Sequence, residues 1–175
     1  MKQNFVLQFD RKEIPDWAEK YSTLTDLEKK IEAEIAPGAR ARGYYTREDF
    51  LDLCYWKTPR TKPLVRSNTT ETIQELTRLA LSKPHERLRI ETLTYLRGVG
   101  WPTASVLLHF GYDNLYPILD FRALWSLGLE KPPSQYDFDF WMDYTHYCRQ
   151  LATEVNVSMR MLDRALWEYS KQNQK

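Results

Sequence analysis

The stretch richest in chemical possibility is Leu96-Arg97-Gly98-Val99-Gly100-Trp101-Pro102-Thr103-Ala104. Two glycines one residue apart force a tight turn, and both can adopt φ > 0 and let a ligand approach the backbone. Val99 between them is placed to plug the turn into a core. Pro102 suits the first turn of a following helix. The turn therefore leads into amides at a helix N-terminus, an arrangement that binds phosphate. Gly100, Trp101, Thr103 and Ala104 have an amide to offer, and Pro102 has none. Turn chemistry alone serves a close-packed helical corner equally well. Trp101 at the tip could stack on or wedge into nucleic acid, or pack its ring on a neighbouring helix.

A second cluster, Tyr55-Trp56-Lys57-Thr58-Pro59-Arg60, joins an aromatic pair to a cation where a helix ends. The Lys57 amine could contact phosphate or, with its pKa lowered by burial, act as a nucleophile. It also suits a helix C-terminus, where its charge meets the dipole. Arg60, Lys62 and Arg66 follow with no acidic residue between 57 and 66. They form a candidate phosphate strip, or equally a solvated loop. The chain's net charge is only +1, yet residues 38–97 carry 12 basic and 7 acidic side chains. Positive charge thus gathers in the segment leading into the glycine turn, as a local phosphate-facing patch would require.

The elements that must position these groups read as helices. Pro15 could start one, and Thr25 could cap another carrying Leu27, Ile31 and Ile35. Residues 36–43, APGARARG, predict a flexible loop. Thr46-Arg47-Glu48-Asp49 opens a helix through Trp56, with Phe50, Leu53 and Cys54 on one face. Pro59 and Pro63 interrupt the chain. Asn68 or Thr69 starts a helix with Ile73, Leu76, Leu79 and Ala80 on one face, and Pro84 starts another that runs to about Leu96. From Pro102 to Phe110 the sequence is nearly all apolar, which predicts burial on every side. A helix starts near Asp120, and longer ones follow at about 135–153 and 158–172. Strand-like alternation is confined to Phe5-Val6-Leu7. The expectation is an all-α fold, a single compact multi-helix domain over residues 1–175 with a helix-hairpin-helix element at about 85–110.

Aromatic residues make up 14% of the 175 residues, enough for a core rich in large rings. No apolar run approaches the roughly 20 residues that span a bilayer, so no membrane is expected, and the N-terminal residues turn charged too soon for a secretory signal. Cys54 and Cys148 lie far apart and belong to no CxxC pair, which argues against a disulfide framework or an iron–sulfur cluster and favours a cytoplasmic location. His85, His109 and His146 have no ligand-like spacing. Asp137, Asp139 and Asp143, interleaved with aromatics, read as acidic residues of a helix start. No metal and no cofactor are expected.

LRGVGWPTA resembles the LPGVGxxTA hairpin of the helix-hairpin-helix DNA glycosylase superfamily, which includes endonuclease III and the adenine glycosylases. The similarity continues in Tyr116-Pro117-Ile118-Leu119-Asp120, twenty residues after Gly100, where the family carries its essential aspartate. Phe121 to Gly128 resembles the helix that follows. The match covers about residues 88–128. It implies that Asp120 faces the C1′ of an extruded nucleotide and stabilises oxocarbenium charge while helping water attack; by residue type alone Asp120 is a helix N-cap. Gly98, Gly100, Trp101 and Thr103 of the hairpin are then the expected contacts to DNA, and Arg60, Lys62 and Arg66, outside the matched segment, are the candidate phosphate strip read from charge. Pro102 stands where bifunctional members carry the Schiff-base lysine, so that lyase reaction is not available there. The family's C-terminal cysteine cluster is missing, and the chain is shorter than the usual two-lobed enzyme.

The resemblance thus implies a DNA glycosylase-like hydrolase in DNA repair that breaks the N-glycosidic bond of a damaged or mispaired base without lyase activity. Other readings are a non-catalytic helix-hairpin-helix module binding DNA or RNA, and a purely structural or protein-interaction domain.

Overall fold

Side-chain caps mark where five of the helices begin. The computed structural model of the chain describes residues 3–22, 24–82 and 85–174. Its helices in chain order are α1 (Ile14–Glu19), α2 (Asp26–Lys30), α3 (Ala36–Arg42), α4 (Arg47–Lys57), α5 (Lys62–Arg66), α6 (Thr70–Ser82), α7 (Glu86–Thr94), α8 (Trp101–Gly111), α9 (Phe121–Ser126), α10 (Phe138–Val155) and α11 (Met159–Asn173). Thr25, Thr46, Asp120, Asp137 and Ser158 each accept an amide from the first turn that follows. At Thr46 the bond is reciprocal, because Asp49 reaches back to the Thr46 amide. No strand occurs among the described residues, and the fold is all-α as expected. None of the described helices is long and apolar enough to cross a membrane.

Residues 36–43 overturn the expectation of a loop. Residues 36–42 form α3, closed by Gly43 in the left-handed conformation, and it follows α2 through a π-turn at Ile31–Ile35. The reason is the proline: Pro37 has no amide to return to the preceding turn, and the widened turn takes up the mismatch. There the Ala36 amide reaches Ile31 O, five residues back. The Pro59–Pro63 region is likewise not a loop. A 3-10 turn (Pro59–Thr61) leads into α5, with a proline in the first turn of each. The start proposed at Pro84 lies outside the described residues.

The chain forms two compact units, one of Leu24–Asp113 and one of Met1–Thr23 with Asn114–Lys175. At the heart of the first is α8, buried at every position from Thr103 to Gly111. The Tyr45 hydroxyl donates to Leu107 O at 2.7 Å, and the Arg40 guanidinium donates to Phe110 O at 3.2 Å. Burial pushes the Tyr45 phenol well up, so it stays a donor. On α6 the expected apolar face is corrected: Leu79 is 39% exposed, and Thr77 is buried instead. Its hydroxyl accepts from the Tyr45 amide (3.1 Å) and donates to Ile73 O (2.7 Å), which makes a polar side chain tolerable in the core.

In the second unit, α1, α9 and α10 pack on α11. Tyr169 on α11 gathers the rings of Phe9, Trp17 and Trp125 at centroid separations of 4.5, 5.1 and 5.9 Å. The Phe5-Val6-Leu7 segment is extended without forming a strand. Its neighbouring amides at Val6 and Gln8 donate to Leu127 O and Ser126 O.

Candidate functional site

The glycine turn is held from a segment thirty residues earlier. Gly98 has φ +81°, and a Cβ built on it would lie 2.9 Å from Leu64 Cβ, 2.9 Å from Val65 Cγ1 and 3.0 Å from the Val65 amide nitrogen. Only glycine satisfies both the left-handed backbone and this close approach to α5. Asn68, buried just after α5, closes the clamp. Its Oδ1 accepts from the Arg97 amide and its Nδ2 donates to Arg97 O, both at 2.9 Å. Val99 is buried as a plug. The structure thus brings the Arg60–Arg66 segment and the glycine turn into contact within one unit.

Gly100 departs from expectation. Its φ is −96° and ψ −179°, an extended conformation open to any residue, and a Cβ there would have only Pro102 Cδ near it, at 3.9 Å. Neither backbone strain nor packing asks for glycine. What glycine leaves is open space over the N-terminus of α8, where no side chain caps the helix. The Ala104 amide is already committed to Gly100 O at 2.8 Å, so it drops from the expected donors. Trp101 is half-buried, and Thr103 is buried, so a ligand at the helix end would meet the Thr103 amide rather than its hydroxyl.

Arg60, Lys62 and Arg66 are exposed. Tyr55 organises the last two: Lys62 Nζ lies 4.8 Å from its ring centroid, and Arg66 Nε donates to its hydroxyl at 2.7 Å. The Arg47 guanidinium donates to Arg66 O at 2.8 Å and adds a further cation to this patch. Arg97, missed as a site residue on sequence, is exposed between Leu96 and Gly98, both of which are held by packing. Asn68 was equally hidden, because its role lies in a tertiary contact rather than in a local pattern. Lys57 is half-buried in the last turn of α4, where its charge favours the helix end.

In the other unit, Asp120 ends a clamped extended run. Tyr116, Pro117, Ile118 and Leu119 are buried. The Tyr144 hydroxyl donates to Ile118 O, and Arg149 Nε donates to Leu115 O, both at 2.8 Å. Tyr116 stacks on Trp141 with centroids 5.8 Å apart. Asp120 itself is half-exposed, and its Oδ1 accepts the Arg122 amide at 2.9 Å, capping α9. Burial raises the Tyr136 phenol, and the Asp120 charge raises it further, so phenol and carboxylate are electrostatic neighbours. Two grooves in this unit are lined by residues such as Phe5, Tyr147 and Gln150. Asp137 caps α10, while Asp143 accepts the Gln3 amide at 2.8 Å rather than serving the helix start. Burial raises the thiols of Cys54 and Cys148, leaving them unreactive near neutral pH.

No family model matches the chain, and no curated protein matches it. Among solved structures it is similar to a Methanocaldococcus jannaschii 8-oxoguanine glycosylase/lyase in complex with a 15mer DNA containing 8-oxoguanine. The identity is 20% and the TM-score 0.49, over 93% of this chain and 81% of that one. It is similar also to the Methanocaldococcus jannaschii 8-oxoguanine DNA glycosylase, with 20% identity and a TM-score of 0.46, over 93% of this chain and 78% of that one.

Proposed function

We propose that the chain binds DNA through the glycine turn and the α5 patch and hydrolyses an N-glycosidic bond, with Asp120 as the catalytic carboxylate. The observation that carries the binding half is the close approach of Gly98 to α5, which sets the exposed cations of residues 60–66 beside an uncapped helix N-terminus. Amides of Gly100, Trp101 and Thr103 hold one backbone phosphate. Arg60, Lys62, Arg66 and Arg97 neutralise its neighbours. The half-exposed Asp120 carboxylate stabilises positive charge at C1′ as the C1′–N bond breaks and its electron pair leaves with the base. Water forms the new C1′–O bond, and its proton passes to the carboxylate. Because proline replaces the family lysine at 102, the product is an abasic strand left intact.

The test is base release from duplexes carrying uracil, 8-oxoguanine or mispaired adenine. The expected product is cut only after hot alkali, with no adduct trapped by borohydride. A trapped adduct that disappears in Lys57→Gln would move the chemistry to the Lys57 amine. Binding to every duplex with no base released from any would favour the non-catalytic module, a reading supported by the cap that Asp120 already provides.

Replacing Arg60, Lys62 and Arg66 together by Gln should flatten the dependence of log Kd on log salt by about 2–3, close to 0.9 for each phosphate left without its cation. Fluorescence anisotropy at four salt concentrations measures it. A slope equal to the parent's removes the α5 patch from the interface.

A further inference from the structure

The geometry points to Tyr95 as a base-stacking residue for an unpaired nucleotide of DNA held at the glycine turn. This deepens the binding reading above and rests on it. Tyr95 is 80% exposed, well beyond the next most open ring, Phe121 at 54%. It stands three residues before Gly98 in a segment with little freedom to move. Its amide donates to Thr92 O, the next amide donates to Leu93 O, and the Leu96 side chain is buried. One residue further, Asn68 grips both backbone groups of Arg97. The ring is therefore presented by a pre-ordered backbone, which lowers the entropy cost of binding through it.

Its surroundings match one kind of partner. Leu88 is 55% exposed and lies seven residues before Tyr95, on the same stripe of α7 continued through the helical cap. Leu64, 48% exposed, sits against the Gly98 position. Lys62 and Arg66 flank Leu64 in α5 and Arg97 follows Tyr95 by two residues, all of them exposed, while one turn before Tyr95 the Glu91 carboxylate is paired with Arg87 at 2.9 Å. A protein partner with an apolar face would have to bring acidic groups to this edge. A nucleic acid with a base out of its stack supplies both features at once, since its phosphates meet the cations and its planar base meets the ring. A fully paired duplex offers the ring nothing to stack on, so the ring selects DNA with an unpaired position.

The experiment uses the full chain and a duplex with a one-nucleotide gap whose facing base is 2-aminopurine. Binding should quench the fluorophore as it stacks on Tyr95. Tyr95→Ser should abolish the quench and bind the gapped probe about tenfold more weakly, with its salt slope and its affinity for intact duplex unchanged. Tyr95→Phe should restore both the quench and the affinity. Equal quench and affinity in Tyr95→Ser would overturn the stacking role while leaving the interface standing. A parent that shows no salt-dependent binding to either probe would overturn the interface and this inference with it.

Discussion

Asp120→Asn is expected to lower base release by at least about 100-fold, the scale of removing one positioned electrostatic group at a transition state, while DNA affinity stays within about twofold of the parent, since the substituted group is not among those that meet phosphate. The substitution keeps the hydrogen bond that starts α9. Asp120 is the N-cap of α9, and its Oδ1 accepts the Arg122 amide. Asparagine caps a helix about as well as aspartate, so α9 and the clamped run before it keep their geometry. What disappears is the negative charge and the ability to take a proton. An oxocarbenium-like transition state needs both, whereas a helix cap needs neither. Asp120→Ala provides the contrast: it removes charge and cap together and should cost about 1 kcal/mol of stability as well. Single-turnover base release on the duplex that the parent processes, with thermal melts of all three proteins, separates the roles. If Asp120→Asn released base at the parental rate, the carboxylate would have no catalytic role.

Local chemistry makes part of this legible in the sequence. Thr25, Thr46 and Asp120 cap their helices because a short polar side chain followed by a helical pattern has one good use. The run from Thr103 to Phe110 is buried all round, since a helix with no polar face has nowhere else to go. The errors arise where a residue answers to a distant one. Pro37 reads as a breaker, yet a π-turn absorbs its missing amide. Leu79 reads as core, yet Thr77 takes the buried place because Tyr45 supplies its hydrogen-bond partner across 32 residues. Among the candidate groups, the turn and Asp120 stand out by type and spacing. Their supports do not: Asn68 reaches Arg97 across 29 residues, and Tyr144 reaches Ile118 across 26. Side chains that position a site are chosen by the fold, and a linear pattern holds no trace of that choice.

The paired substitutions Gly98→Ala and Gly100→Ala are expected to part company, and this divides what the two glycines do. At Gly98 an added methyl meets Leu64 and Val65 at 2.9 Å, on a backbone with φ +81°. The left-handed conformation and the overpacking together should cost about 3 kcal/mol, a fall in melting temperature of roughly 10 °C for a chain of this size. Two of the three clashing atoms lie at or next to the backbone of α5, which cannot swing aside as a side-chain tip can. At Gly100 the methyl meets only Pro102 Cδ at 3.9 Å, on an extended backbone. The poorer cap and the stiffer unfolded chain nearly cancel, and stability should stay within about 0.5 kcal/mol of the parent. That methyl nevertheless occupies the space above the amides at the start of α8, so affinity for duplex DNA should fall about tenfold, the effect of weakening one charge-assisted hydrogen bond by about 1.4 kcal/mol. Calorimetry and anisotropy on the same preparations read the two effects separately. A Gly100→Ala protein that binds DNA like the parent would mean that the second glycine guards no ligand, and that the turn serves packing alone.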